Sequence, residues 1–367
     1  MSLFIVSFLA SLLVTLSVVR SSAFHARLSA DHDLSGPQKF HARAVPRIGG
    51  FGVIVAIGVA GVFAYFANAD VGGFFWLLMA CALPAFLVGI AEDLTKKVSA
   101  RWRLLATGVS AALAVWLLDG IIRRTDIPGL DTVIQMAPMA IALTLLCVTG
   151  VANAVNIIDG FNGLASMCVM MMLLGIAYVA FQTGDDFVAN TALIAAGAVL
   201  GFFVWNFPAG LIFLGDGGAY FLGFVLSELS VLLLARNASV SPMFPLLLCA
   251  YPIFETLFSI YRKKFLRGIS PGIPDGVHLH MLVYKRLIRW AVGNRDAKAL
   301  TRRNSMTSPY LWLLCLLSVI PAVLWWNNSM VLTAFIFLFM LSYVLLYWSI
   351  VRFKSPKWLV VKRRWLR

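Results

Sequence analysis

Side chains of the types that hold phosphate and hard cations recur at five places along this chain. The sharpest pattern is Asn153, Asn156 and Asp159, which repeat every three residues and so share one face of a predicted helix. Their oxygens suit Mg²⁺, and such a face is costly at the end of a membrane helix without a partner. Gly160 and Gly163 predict that the helix breaks there. The alternative is a polar turn that only ends a helix.

Two further segments contribute carboxylates. Asp216 is flanked by glycines between two apolar runs, where an unpaired carboxylate is costly and therefore predicts a cation nearby. The glycines are expected to leave it open to a ligand. Glu92 and Asp93 are adjacent, so their repulsion should raise the pKa of one and suit it to accept a proton. The alternatives are a glycine-rich turn with an Asp cap, and an acid pair neutralised by neighbouring cations.

Two basic segments complete the set. Lys39 and His41 lie in a segment that continues to Arg47, and these side chains are suited to bind phosphate, although a plain basic loop is the alternative. His278 and His280 form an HxH pattern among many cations, which favours phosphate over a transition metal. The cations of this segment include Arg262, Lys263, Lys264, Arg267, Lys285, Arg286 and Arg289.

Membrane helices are the elements that must position these residues. The chain is 61% hydrophobic and 13% charged, whereas a soluble domain is about 45–50% apolar and about 25% charged. This composition excludes both a soluble enzyme and a disordered chain. A crossing helix needs about 20 apolar residues. Eleven runs approach that length: 2–20, 48–68, 73–91, 104–119, 134–152, 163–182, 188–206, 218–236, 242–261, 309–327 and 330–350.

The distribution of Lys and Arg predicts the topology. All except Arg123, Arg124 and Arg236 fall on one side of the predicted spans, which the positive-inside rule makes cytoplasmic. Eleven spans then place the N-terminus in the periplasm and the C-terminus in the cytoplasm. Because the basic residues lie between apolar runs, the net charge of +14 does not indicate a nucleic acid partner. The predicted cytoplasmic segments are 20–47, 92–103, 153–163, 207–217, 262–308 and the tail 351–367.

All five polar segments fall on the cytoplasmic side, so a site is expected at the inner membrane face. Taken in order, the motifs resemble the polyprenyl-phosphate N-acetylhexosamine-1-phosphate transferases of glycosyltransferase family 4, in particular the undecaprenyl-phosphate GlcNAc-1-phosphate transferase-like branch. The resemblance covers residues 33 to about 285. Its motifs are Lys39-Phe-His41 with Pro46-Arg47-Ile-Gly49-Gly50, Glu92-Asp93, Asn153-Ala-Val-Asn156-Ile-Ile-Asp159-Gly, Gly215-Asp216-Gly217, and Asp275 with His278-Leu-His280.

The resemblance implies an all-α, polytopic membrane enzyme with one transferase domain over residues 1–367. In this family the phosphate of undecaprenyl phosphate attacks the β-phosphorus of a UDP-N-acetylhexosamine and releases UMP, with Mg²⁺ or alternatively Mn²⁺. The donor sugar is expected to be GlcNAc by default. The product would start an O-antigen or similar envelope glycan at the cytoplasmic face of a bacterial inner membrane.

The resemblance also implies roles for individual residues. Asp216 matches the metal-binding Asp of the family, and Asn156 is the second metal candidate. Asp93 matches the acid proposed to activate the lipid phosphate, and Asp159 lines the same site. The other expected catalytic residues are Glu92, His278 and His280, and the expected substrate-binding residues are Lys39, His41, Arg47, Asn153, Arg262 and Arg267.

Three residues depart from the family pattern. Glu92 replaces an Asp, Asn162 replaces the frequent second Asp after Asp-Gly, and Met281 replaces the third His. Met281 argues against the branch that uses UDP-MurNAc-pentapeptide, which stays an alternative, as does a catalytically silent relative. A transporter of lipid-linked anions is the alternative from another class, supported only by Glu228 and Glu255 inside spans. Nothing in the sequence sets the oligomeric state.

Overall fold

The computed structural model of the chain describes residues 2–22, 45–67, 69–270, 272–273, 275–288 and 297–354. Within these residues it contains helices and no β-strand, which confirms the all-α prediction. Two short π-helices cover Arg262–Leu266 and Val283–Leu287. The α-helices are α1 (Ser2–Arg20), α2 (Gly49–Ala67), α3 (Ala69–Thr95), α4 (Ala100–Leu118), α5 (Leu130–Ile134), α6 (Ala137–Ile158), α7 (Leu164–Thr183), α8 (Asp186–Asn206), α9 (Gly215–Arg236), α10 (Met243–Leu248), α11 (Ala250–Tyr261), α12 (Leu279–Leu282), α13 (Ala297–Leu324) and α14 (Ser329–Val351).

Ten helices in the described ranges are long and apolar enough to cross a membrane. They match the predicted runs except for 242–261, where the chain forms α10 and α11 with a break at Cys249. Pro252 explains this break, because it has no N–H to donate to the carbonyl of Leu248 one turn earlier. The number of crossings and the orientation of the bundle stay predictions.

The helix α13 begins twelve residues earlier than the predicted run 309–327. The last twelve residues of the predicted loop 262–308 are therefore helical, although many of their side chains are polar. Apolar periodicity alone does not find such a segment. Its Asn304, Ser305 and Ser308 are instead stabilised by hydrogen bonds to the chain around residue 162.

The helix α9 lies at the centre of the bundle and is buried from Gly215 to Leu234. It packs against α2, α3 and α6. Small residues allow these close approaches, as is usual between membrane helices. A Cβ on Gly218 would lie 2.7 Å from the Cα of Gly50, and one on Gly217 would lie 2.9 Å from the backbone nitrogen of Ile90. The glycines around Asp216 thus serve helix packing, whereas the sequence suggested that they open the site to a ligand.

Glu228 lies in the middle of α9, fully buried, and neither carboxylate oxygen has a hydrogen-bond partner among the residues that the structure describes. Its carboxylate adds a desolvation cost without a compensating contact. The Glu228→Gln variant should therefore keep its activity and change the free energy of unfolding by less than about 1 kcal/mol. Activity and thermal unfolding in detergent check this. A large loss of activity would instead show that the enzyme needs the buried carboxylate of Glu228.

Candidate active site

The site is built around the turn that starts α9. Three backbone hydrogen bonds of 2.8 to 2.9 Å join residues 46–50 to residues 213–214. Gly215 then adopts a φ of +76°, in the left-handed region that favours glycine. This pairing brings together the first and fourth motifs, so that Nη2 of Arg47 lies 3.0 Å from Oδ1 of Asp216.

Asp216 is paired with a second cation, which is not among the predicted site residues. Nη1 of Arg103, from the first turn of α4, contacts Oδ2 of Asp216. The guanidinium carbon of Arg103 lies 5.9 Å from the centre of the Tyr220 ring. In the sequence Arg103 is one of four cations in the segment 92–103, which predicted the topology and were the alternative partners of Glu92 and Asp93. Nothing in their spacing shows which one reaches Asp216.

Asp93 caps the central helix from α3. Its Oδ1 accepts the N–H of Asp216 at 2.9 Å, and its Oδ2 accepts the N–H of Gly217 at 2.8 Å. The side chain is fully buried, and Nε of Arg47 lies 3.6 Å from Oδ1. A carboxylate at this place satisfies backbone donors that a helix start leaves unpaired. Asp93 therefore fixes the turn that carries Asp216, while its predicted role as proton acceptor stays a prediction.

Glu92 lies outside this cluster. Its Oε2 accepts the N–H of Val98 at 2.7 Å and closes the turn that follows α3. Neighbouring residues on a helix point about 100° apart because the helix has 3.6 residues per turn. The two carboxylates of the Glu92-Asp93 pair thus serve different turns.

Asp159 joins the cluster from the end of α6. Its carboxylate accepts the N–H of Gly215. Desolvation raises the pKa of Asp159 to about 7, although Arg47 and this hydrogen bond act in the opposite direction. The predicted break is confirmed, because α6 ends at Ile158 and α7 begins after Gly163, which has a φ of +72°.

The two asparagines of the third motif face Tyr220, which follows Asp216 by one helical turn. Oδ1 of Asn153 accepts the Tyr220 hydroxyl at 3.1 Å, and the Asn156 side chain bonds to the same hydroxyl. Both lie on α6, as the three-residue spacing predicts. Asp159 has left the helix, with a ψ of 61°, so it reaches Gly215 instead of extending this face.

His280 lies against the residues that follow Asp159, and His278 lies against His280. Their rings are stacked, with centroids 5.2 Å apart. A Cβ on Gly160 would lie 3.7 Å from Nε2 of His280, and the ring of Phe161 packs edge-on against His280. Burial lowers the pKa of His280 to about 4, so this imidazole is neutral at pH 7.

Asp275 gathers the basic residues of the same segment. Its Oδ2 lies 3.0 Å from Nη2 of Arg262 and 3.7 Å from Nη1 of Arg267, and its Oδ1 lies 3.6 Å from Nε2 of His278. The structure thus brings Arg262 and Arg267 to the HxH turn, as the sequence suggested. Lys39 and His41 lie outside the described residues.

The side chain of Asn162 faces α13. Its Nδ2 donates to the carbonyl of Pro208 at 3.3 Å and to Oγ of Ser305 at 3.1 Å. Its backbone N–H donates to Oδ1 of Asn304 at 2.8 Å, and its carbonyl accepts from Ser308 at 2.6 Å. The amide that replaces the family's Asp therefore links the Asp159 turn to α13.

The carboxylates around α9 fit a hard cation shared with a substrate. Among the described residues, no group of three His, Cys, Asp or Glu side chains is arranged to hold a metal ion by itself. The cluster nevertheless contains Asp93, Asp159 and Asp216 against Arg47 and Arg103, which leaves one negative charge in excess when all are ionised. Mg²⁺ commonly takes one or two carboxylates and completes its shell with water and substrate phosphates.

Comparison with known proteins assigns the family. Residues 75–234, which contain Asp93, Asp159 and Asp216, match the sequence profile described as Glycosyl transferase family 4. The chain is also 30% identical over 298 residues to the probable undecaprenyl-phosphate N-acetylglucosaminyl 1-phosphate transferase of Bacillus subtilis (strain 168), covering 80% of this chain and 78% of that protein. The chain belongs to glycosyl transferase family 4.

Two further relatives of this family 4 member carry similar names. The undecaprenyl-phosphate alpha-N-acetylglucosaminyl 1-phosphate transferase of Thermotoga maritima is 26% identical over 260 residues, which is 70% of this chain and 74% of that protein. The decaprenyl-phosphate N-acetylglucosaminephosphotransferase of Mycolicibacterium smegmatis is 28% identical over 308 residues, which is 74% of this chain and 70% of that protein. This family 4 member is thus an enzyme of the phosphotransferase type, as the motifs predicted.

Proposed function

We propose that this enzyme transfers an N-acetylhexosamine 1-phosphate from a UDP-sugar to undecaprenyl phosphate, with GlcNAc 1-phosphate as the first candidate. A phosphate oxygen of the lipid forms a bond to the β-phosphorus, the bond from that phosphorus to the bridging oxygen breaks, and UMP leaves. The observation that carries the proposal is the pairing of Asp216 with Arg47 and Arg103, in the cluster that also contains Asp93 and Asp159. The names of the relatives support the lipid acceptor and the sugar.

Arg47 and Arg103 are the groups proposed to hold phosphate. Phosphoryl transfer depends mainly on position and charge neutralisation. A guanidinium offers two parallel N–H donors that match phosphate oxygens as well as carboxylates. Both arginines already face Asp216, so a phosphate bound there would share them. Mg²⁺, when bound by Asp216 with Asp159 and Asn156, would neutralise charge on the diphosphate.

Asp93 is proposed to act by position. A phosphate monoester has a second pKa of about 6, so the lipid phosphate is largely ionised at pH 7 and needs orientation more than deprotonation. Both oxygens of Asp93 already accept backbone N–H groups at the start of α9. Its removal would loosen the turn that carries Asp216.

The HxH turn is proposed to bind the diphosphate or the uridine of the donor. His280 lies beside the Asp159 turn, while Arg262 and Arg267 bring positive charge to the same segment. The starts of α2 and α9 meet the ends of α3 and α6, which supports a site at one face of the bundle. We place this face at the cytoplasmic side of a bacterial inner membrane, where the reaction would start an O-antigen or similar glycan.

The experiment is UMP release by the purified protein in detergent, with undecaprenyl phosphate, Mg²⁺ and UDP-GlcNAc, UDP-GalNAc, UDP-QuiNAc or UDP-FucNAc. We expect UMP with at least one donor, and none when the lipid is left out or the Mg²⁺ is chelated. Folded protein that releases no UMP with any of these donors would contradict the proposal.

A further inference from the structure

Glu255 lies in α11 and is buried, yet its carboxylate is bound by three donors. Its Oε1 lies 3.2 Å from Nδ1 of His278 and accepts the backbone N–H of Leu279 at 2.8 Å. Its Oε2 accepts the hydroxyl of Tyr343, from α14, at 2.9 Å. Glu255 was one of the two acids that favoured a transporter, but its contacts show that it stabilises the HxH turn.

These contacts determine that Nδ1 of the His278 ring carries a proton. The N–H of Leu279 can only donate, so Oε1 of Glu255 acts as an acceptor at this point. An ionised carboxylate has no hydrogen to donate, and Nδ1 of His278 must therefore carry the proton of the shared bond. The opposite nitrogen, Nε2, faces Asp275 at 3.6 Å. Glu255 thus fixes both the tautomer and the direction of the ring.

The position of His278 is transmitted to the candidate active site by contact. Its ring stacks on His280 with an interplanar angle of 12°, and His280 lies against Gly160 and Phe161. Gly160 directly follows Asp159. The helix α14 supports the same turn a second time, because the hydroxyl of Tyr347 donates to the carbonyl of Val277 at 3.2 Å.

From this geometry we infer that Glu255 is a positioning residue for the transferase, which acts through His278 and is itself oriented by Tyr343. The inference rests on the proposed function. Glu255, His278 and Tyr343 all lie beyond residues 75–234, the part that matches the family profile. Because the HxH turn is the proposed contact to the donor, loss of Glu255 should act on the donor and leave the lipid acceptor unaffected.

The test compares Glu255→Gln with Glu228→Gln in the UMP assay. The two variants carry the same chemical change in buried acids, but Glu228 has no hydrogen-bond partner in the described part of the chain. We expect Glu255→Gln to lower kcat/KM for the UDP-sugar by about tenfold or more, with KM for undecaprenyl phosphate unchanged. Glu228→Gln should match the wild type. Equal activity of all three proteins, or a loss that falls on both substrates alike, would overturn the inference.

A double-mutant cycle separates positioning from general destabilisation. If Glu255 acts through His278, adding Glu255→Gln to His278→Ala should cause no further loss, whereas independent effects would multiply. Tyr343→Phe removes only one hydroxyl and should cause a smaller loss of the same kind, which keeps the test usable if Glu255→Gln folds poorly. Multiplying effects would refute the inference. Wild-type protein without UMP release would instead refute the proposed function.

Discussion

The Asp216→Asn variant should lose UMP release by about 10³-fold or more. The substitution keeps the shape of the side chain but removes the charge that is proposed to hold Mg²⁺ with the diphosphate. It also leaves Arg47 and Arg103 without the carboxylate that pairs with both. Asp93 should keep its bonds to the backbone at the start of α9, so the melting temperature should change little.

Asp185→Asn is the matched control for this variant. Asp185 is also a buried carboxylate at a helix start, and it pairs with Arg236 at 2.7 Å. Arg236 ends the helix that Asp216 begins, so the two sites are about 30 Å apart at 1.5 Å per residue. Asp185→Asn should retain activity because asparagine is a good helix cap. Near-normal turnover of Asp216→Asn would show that the reaction does not need the Asp216 carboxylate.

The Asn162→Asp variant restores a residue that is frequent in the family, yet it should lower activity and stability. A carboxylate cannot donate to the carbonyl of Pro208 or to Ser305, and it would face that carbonyl with a second acceptor. The loss of a buried hydrogen bond costs about 1–3 kcal/mol. We expect a lower melting temperature and about a tenfold loss of turnover, since the Asp159 turn would separate from α13.

Asn190→Asp is the control for this second prediction. Asn190 also donates through Nδ2 to a backbone carbonyl, that of Asp186, at 2.9 Å. This bond is exposed and lies near the N-terminal end of α8. Water can replace it, so stability and turnover should stay close to those of the wild type. A gain of activity in Asn162→Asp would show that residue 162 acts together with Asp159, as the family pattern implies.

The sequence predicted which segments form the site, because their acids and histidines all lie at one end of the apolar runs. Arg47, Asp93, Asp159 and Asp216 do lie together. Successive membrane helices run in opposite directions, so every second connection between them lies on the same side of the membrane, and the polar segments come together there. Asn153 and Asn156 share a face for a local reason, the helical repeat.

Partners that depend on tertiary packing were not predictable. Arg103 is one of four cations in its segment, and only the packing of α4 selects it for Asp216. Glu255 looked like an isolated acid because its partner His278 is 23 residues away in a polar loop. In the sequence, Asn162 is recognisable only as the loss of a charge relative to the family pattern. Its partner Ser305 lies in the polar first turns of α13, which apolar periodicity does not predict to be helical.

The most direct test of the proposed reaction is to follow the β-phosphorus of the donor. Protein in detergent is given UDP-GlcNAc radiolabelled at that atom, undecaprenyl phosphate and Mg²⁺, and the label is measured in the lipid and aqueous fractions. Sugar 1-phosphate transfer predicts label in the lipid, unlabelled UMP in the water, and neither product with Asp216→Asn. Label that stays in aqueous UDP while the sugar enters the lipid would contradict it, because the enzyme would then transfer the sugar alone.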